Sequence, residues 1–249
     1  MIPNRYLARA PHPAGGHPIS DSLARSIAID GPTASGKSVV GRAVADRLQV
    51  GFVDTGLMYR ACTLAVLAAG IDPQQPDAVI ELVRELAMEL EWPRELSQPH
   101  VVLAGEDVTS QLRTLEIEHA VSFVSGVPAV RDELVRRQRA IADHSSIVMA
   151  GRDIGTRVLT EARTKIFLEA SAMVRAQRRL GEELDSGRQT TFERVLDETR
   201  RRDEMDNTGQ RAIHREQAAD DAIIIDTDML GIDDVVERCV DAYRAANGD

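Results

Sequence analysis

Lysine is nearly absent from this chain: of 30 lysines and arginines, only Lys37 and Lys165 are lysines. A lysine that falls on a motif position is therefore hard to ascribe to composition. Cysteine is also scarce, with Cys62 and Cys239 far apart in sequence and each inside a helical pattern. That spacing suits a reducing compartment and reads as packing, because free cysteine behaves as a small apolar side chain. An excess of positive charge is missing too. The formal charge is −10, and a field of that sign repels nucleic acid and anionic membranes. No stretch approaches the roughly 18 apolar residues of a membrane span. The N-terminus lacks the roughly 7–15-residue apolar core of a secretory signal. The expectation is a soluble, cytoplasmic protein with no nucleic-acid or membrane partner. The six histidines, at 12, 17, 100, 119, 144 and 214, show no metal-ligand spacing, so no structural metal is expected.

Internal repeats are lacking as well, and what is present is an alternation. Residues 1–24 are rich in proline, glycine and polar residues without periodicity, and are expected to form a mobile extension. From residue 25 to 249 short apolar runs alternate with helical patterns. Ser26–Ile29 precedes a helix at Lys37–Leu48, and Phe52–Val53 precedes Tyr59–Ala69. Ile147–Ala150 and Lys165–Leu168 precede Met173–Leu184, and Ala222–Ile225 precedes Ile232–Ala246. Continuous apolar runs fit strands covered on both faces. The fold class is therefore α/β, a doubly wound parallel sheet of about five strands. Between 70 and 127 the rhythm changes: Asp77–Leu90 reads as helix, Val101–Leu103 and Asp107–Val108 as a small antiparallel sheet, and TLEIEHAVSFV as helix. This predicts an insertion, followed by a helix over Val127–Asp143 that carries several arginines.

Gly31-Pro32-Thr33-Ala34-Ser35-Gly36-Lys37-Ser38 follows a strand and opens a helix, with Val39 next. That is the context the phosphate-loop pattern G-x-x-x-x-G-K-[ST] requires. Backbone N–H groups and the helix N-terminus point at phosphates, Lys37 can bridge terminal phosphate oxygens, and the Ser38 hydroxyl can ligate Mg²⁺. Nucleoside triphosphate binding follows. A switch GTPase would need an Asn-Lys pair, and the sequence has none. A motor ATPase is weakened but stays open, since Asp54 and Asp153 follow apolar runs. A phosphotransferase needs a second anion site with arginines. In Asp54-Thr55-Gly56-Leu57-Met58-Tyr59-Arg60 a hydroxyl sits where a helix cap belongs, with an arginine further along the same helix. Arg175, Arg178 and Arg179 share one helix face by their spacing, and GEELDSGRQ supplies a turn before ETRRRDEMD. A hinged lid over about 175–210 accounts for both, and a solvated, salt-bridged helix pair is the alternative.

These residues carry a resemblance. IDGPTASGKS, VDTGLMYR, LAGEDVTSQLRT, PAVRDELVRRQR, AGRDIGT, KIFLEAS, RRDEMD and AADDAIIIDT together resemble the bacterial-type cytidylate kinases of the nucleoside monophosphate kinase superfamily, from about Ser26 to the C-terminus. The resemblance implies ATP with Mg²⁺ as donor, CMP or dCMP as acceptor, and a monomer. It implies that Thr55 and Arg60 hold the acceptor phosphate and that Ser122, Arg131 and Asp153 read cytosine. Arg152 would hold phosphate, Arg202 and Asp206 would meet the ribose, and Lys37, Arg152, Arg178 and Arg179 would be catalytic. An aspartate at position 153 can accept from the N4 amino group of cytosine and repel the O4 of uracil. Two departures stand out. Ala34 occupies a position where the family commonly has glycine, and Gly209 stands where it usually has an arginine, so that either Arg211 serves in its place or that lid contact is lost. Kinases of another small acceptor, such as uridylate, shikimate or dephospho-coenzyme A, remain the alternative within this class.

Overall fold

The computed structural model describes residues 20–92, 99–185, 187–207 and 214–248. Five strands form one parallel sheet: β1 (Ile27–Asp30), β2 (Gly51–Asp54), β6 (Ile147–Ala150), β7 (Thr164–Glu169) and β8 (Ile223–Asp226), in the order β2-β6-β1-β7-β8. In β1 and β6 every residue is buried, which is why both read as unbroken apolar runs. Side chains alternate between two cores. Ala28, Val53 and Met149 enter one cluster and Ile27, Ile29, Phe52 and Val148 the other. The second cluster is closed by α2 (Lys37–Leu48) and α9 (Ile232–Asn247). The first is closed by α3 (Thr55–Ala68), α6 (Pro128–His144) and the residues of the expected insertion.

In the insertion, α4 (Pro76–Glu85) leads into an antiparallel sheet of β3 (Met88–Glu91), β4 (His100–Leu103) and β5 (Glu106–Asp107), followed by α5 (Leu115–Gly126). Two expectations are corrected here. The helix expected over Asp77–Leu90 stops at Glu85, because Met88 and Leu90 pair with Leu103 and Val101 across β3 and β4. Met, Glu and Leu favour helix in isolation, but tertiary pairing overrides that preference. The second strand runs over Glu106–Asp107, not Asp107–Val108. Asp107 then turns the chain by accepting from the Thr109 N–H at 2.9 Å.

The fold begins earlier than residue 25. Ser20 caps α1 (Asp21–Ala24), and Leu23 is buried in the first core. Cys62 and Cys239 are both fully buried, and burial pushes each thiol up to about 12. Neither thiol is available as a nucleophile at neutral pH.

Candidate active site

β1 ends at Asp30 and the chain turns at Gly31, whose φ of 148° and position against Leu168 admit no side chain: a Cβ there would lie 2.3 Å from the Leu168 carbonyl oxygen. The loop ends at Gly36, in the left-handed region at φ 96°, and Lys37 starts α2. Ala34 also has a positive φ, 61°, a conformation that glycine adopts without steric cost. The Lys37 ammonium curls over the loop and donates to the Pro32 carbonyl at 2.5 Å and to Ser35 Oγ at 3.5 Å. Burial, and then the nearby Arg152 guanidinium, pull Lys37 down to about 7 against the opposing pull of Asp54 and Asp30. Ser38 Oγ donates to Asp54 Oδ2 at 2.7 Å, so a hydroxyl and a carboxylate stand together beside the loop.

The residues expected on the acceptor side come from elements that end around this loop. Asp54, not Thr55, caps α3: its carboxylate accepts from the Gly56 N–H. Thr55 is the first helical residue, and its buried hydroxyl donates to the Ala150 carbonyl at 2.9 Å. Further along α3, Arg60 donates to the Leu112 carbonyl at 3.2 Å and lies 3.9 Å from Glu118. Burial lowers the Arg60 pKa, with Glu118 opposing. Beyond β6, Arg152 donates to Thr33 Oγ1 of the phosphate loop at 2.8 Å. Its neighbour Asp153 pairs with Arg131 of α6, and both are buried. Such a pair is costly to bury and is left badly unsatisfied if one partner is lost.

On α7 (Ala172–Asp185), which packs beside α8 (Phe192–Asn207), the three clustered arginines separate in role. Arg175 is buried and makes a two-pronged pair with Asp203 of α8, at 2.9 and 2.5 Å, while also donating to the Thr33 carbonyl. It ties the helix pair to the phosphate loop. Arg178 donates to the carbonyls of Ser35 and Thr227, and Arg179 to Glu183.

One cavity of about 1150 Å³ is lined by Thr33 through Val39, Thr55, Arg60, Ser122, Arg131, Arg152, Asp153, Arg178, Arg179 and Arg202. Gly31 and Pro32 form the base of the loop behind that wall. The side chain of Asp206, together with Gly209 and Arg211, lies outside the described residues. Sequence reasoning missed Arg113, Glu118 and Arg188, which also line the cavity. Each lies in or beside a segment whose neighbours drew notice, and only the fold brings Glu118 of α5 beside Arg60 of α3, Arg179 of α7 and Arg188. It also missed Asp30. That buried carboxylate accepts from the Ile154 and Gly155 N–H groups, each at 2.7 Å, and burial pushes it up to about 6 although those donors oppose the shift.

The sequence profile of a family described as cytidylate kinase matches residues 27–245. A cytidylate kinase of Geobacillus kaustophilus (strain HTA426) is 44% identical over 226 residues, covering 90% of this chain and 98% of that protein. One from Mycobacterium leprae (strain Br4923) is 45% identical over 225 residues, covering 89% and 96%. One from Rhodococcus opacus (strain B4) is 46% identical over 213 residues, covering 85% and 91%.

Proposed function

This chain belongs to the cytidylate kinase family, and from that premise we propose that it transfers the γ-phosphoryl group of ATP to CMP or dCMP, giving ADP and CDP or dCDP. One observation supports this reading most: the phosphate loop and the buried Arg131–Asp153 pair open into the same cavity. A donor that presents a triphosphate and an acceptor that presents a cytosine thus meet within one enclosure. Family membership weighs against UMP as the acceptor.

An acceptor phosphate oxygen attacks the γ-phosphorus as the bond to the bridging β-oxygen breaks, in line and with no protein nucleophile. The attacking oxygen is already anionic at neutral pH, so the protein needs no general base. Positioning and cationic charge carry the rate. Lys37, Arg152, Arg178 and Arg179 neutralise the transferred group, and the loop from Gly31 to Val39 cradles the donor phosphates. Thr55 and Arg60 hold the acceptor phosphate. Ser122, Arg131 and Asp153 read the base, Arg202 and Asp206 meet the ribose, and Arg211 replaces the lid arginine expected near Gly209.

Oxygen donors suit Mg²⁺, and the Ser38 hydroxyl beside the Asp54 carboxylate is such a pair. Among the described residues no group of three or more His, Cys, Asp or Glu could hold a metal unaided, which fits an ion carried in largely by the nucleotide. Bound there, Mg²⁺ would offset the negative charge on the β- and γ-phosphates. The domain reading is of a piece with this: residues 70–127 form the acceptor-binding insertion and about 175–210 the lid that excludes water. The enzyme acts as a cytoplasmic monomer with no nucleic-acid partner. Among the described residues no helix is long and apolar enough to cross a membrane.

The test is ADP production from MgATP with CMP, dCMP, UMP, AMP or no acceptor. Activity with CMP and dCMP alone is expected. Activity with UMP alone, or acceptor-independent hydrolysis, would reject the acceptor assignment while leaving the phosphate loop in place.

A further inference from the structure

Arg152 and Asp153 occupy a two-residue span whose ends are tied to the same strand. On one side the Gly151 N–H donates to the Ile29 carbonyl at 3.0 Å. On the other, the Ile154 and Gly155 N–H groups both donate to the carboxylate of Asp30, one to each oxygen, at 2.7 Å. Ile29 and Asp30 are the last residues of β1, and the next residue is Gly31 of the phosphate loop. We propose that Asp30 is a positioning residue for the acceptor: it clamps the turn after β6 to the root of the phosphate loop and so fixes Asp153 and Arg152 relative to the donor phosphates. This deepens the proposed CMP kinase reading and rests on it.

The chemistry of the clamp requires an ionised carboxylate. Two consecutive N–H groups converge on one side chain, so both of its terminal atoms must accept. An asparagine would present an acceptor to one N–H and an NH₂ donor to the other, in a place where water cannot mediate: Asp30 is 4% exposed and lies behind the cavity wall. A buried donor left facing a donor is costly. The fit is close on the other side as well. A Cβ on Gly155 would stand 3.2 Å from Asp30 Oδ2 and 3.3 Å from Lys165 Cδ. Past the clamp the chain makes a single π-helical turn over Ile154–Val158, closed by the Leu159 N–H on the Ile154 carbonyl at 2.7 Å, and the Arg157 N–H returns to the Asp153 carbonyl at 2.9 Å. The backbone of Asp153 is thereby held from both directions. Its carboxylate faces Arg131, and the Arg152 guanidinium reaches Thr33. The base-reading group and a phosphate-binding group are thus hung from the strand that carries the donor loop. Loosening the clamp shifts both, while Asp30 itself is not among the residues lining the cavity.

The experiment compares the full-length wild type with Asp30→Asn in steady-state kinetics with CMP and with UMP, alongside ATP affinity by calorimetry and melting temperature. In Asp30→Asn, kcat/KM for CMP is expected to fall between about tenfold and a hundredfold, as for misplaced reacting groups. The CMP-to-UMP ratio is expected to fall with it, and ATP affinity to fall by much less than kcat/KM for CMP, since Asp30 also faces Lys37 and Arg152 reaches the donor loop. A purely structural role would lower the melting temperature without moving that ratio. Gly155→Ala pushes on the same contact while leaving every side chain of the site in place, and is expected to move the ratio in the same direction; it decides the matter if Asp30→Asn does not fold. An unchanged kcat/KM and ratio in a folded variant, an equal loss for CMP and UMP, or a loss confined to ATP affinity would each overturn the assignment. A wild type that does not phosphorylate CMP would instead sink the parent reading, and the wild-type assay alone reveals that.

Discussion

At the scale of single residues, the site holds two charges that the fold makes costly. Asp30 is pushed up to about 6 and Lys37 down to about 7, in both cases chiefly by burial. For Lys37 the folded value lies below the unfolded one, so the unfolded chain binds more protons between about 7 and the ordinary lysine value near 10.5. The destabilisation is full below about 7 and fades as pH rises toward 10. Lys37→Met should therefore melt several degrees higher than wild type at pH 6, with the gain shrinking at pH 9.5. The same variant should lose most turnover, because the cation is missing when the phosphates arrive. A melting series across pH, paired with the ADP assay, checks both halves. Asp153 makes a different demand. Asp153→Asn keeps an acceptor but adds an NH₂ donor that can meet the O4 of uracil, so the CMP-to-UMP preference should fall by roughly tenfold or more. Equal preference before and after the change would remove Asp153 from base reading.

Between elements, Glu118 of α5 is the hub where α3, α5 and the end of α7 meet. It stands 3.9 Å from Arg60 of α3, 3.8 Å from Arg179 of α7, and 3.4 Å from Arg188 beyond α7. Pairs this long, with partly exposed side chains, add roughly 0–1 kcal/mol to stability. Their significance lies in what they occupy: Arg60 and Arg179 are cations expected to take up phosphate, and a carboxylate beside them competes with it. Glu118→Gln should leave the melting temperature nearly unchanged yet lower KM for CMP, most visibly at low ionic strength, where the competition is least screened. A higher KM would mean that Glu118 helps to orient these arginines and does not compete with phosphate. No pattern in the residues pointed to this hub. Helical periodicity puts Glu118 on α5, but its convergence with Arg60 and Arg188 depends on how three elements pack. Legibility failed in the same way at Met88–Glu91, where cross-strand pairing decided a segment whose residues favour helix. It succeeded at Lys37–Leu48 and Ile147–Ala150, whose bounds follow from a glycine-lysine helix start and from unbroken burial.

For the whole molecule, the phosphate loop, the turn after β6 and the arginines were legible because each is a contiguous string of residues with its own local chemistry. Their convergence was legible only through the resemblance, because physically it comes from the strand order β2-β6-β1-β7-β8, which sets the ends of β1 and β6 side by side. That adjacency has a thermodynamic consequence. Arg152 spans from the turn after β6 to Thr33 of the phosphate loop, and Arg175 ties α7 to the same residue's carbonyl. A ligand that orders one wall of the cavity thereby removes part of the ordering cost for a ligand on the other, which is positive coupling between sites. Each nucleotide alone, at about a hundred times its dissociation constant, should stabilise the fold by about 2.7 kcal/mol and raise the melting temperature by several degrees. ADP and CMP together should raise it by more than the sum of the two separate shifts. Calorimetric titration of CMP with and without saturating ADP measures the same coupling as a ratio of affinities, and reciprocity requires ADP to gain by that ratio when CMP is bound. Strictly additive shifts and a ratio of one would mean that the two halves of the cavity are built independently, and that the ties from Arg152 and Arg175 to Thr33 transmit nothing.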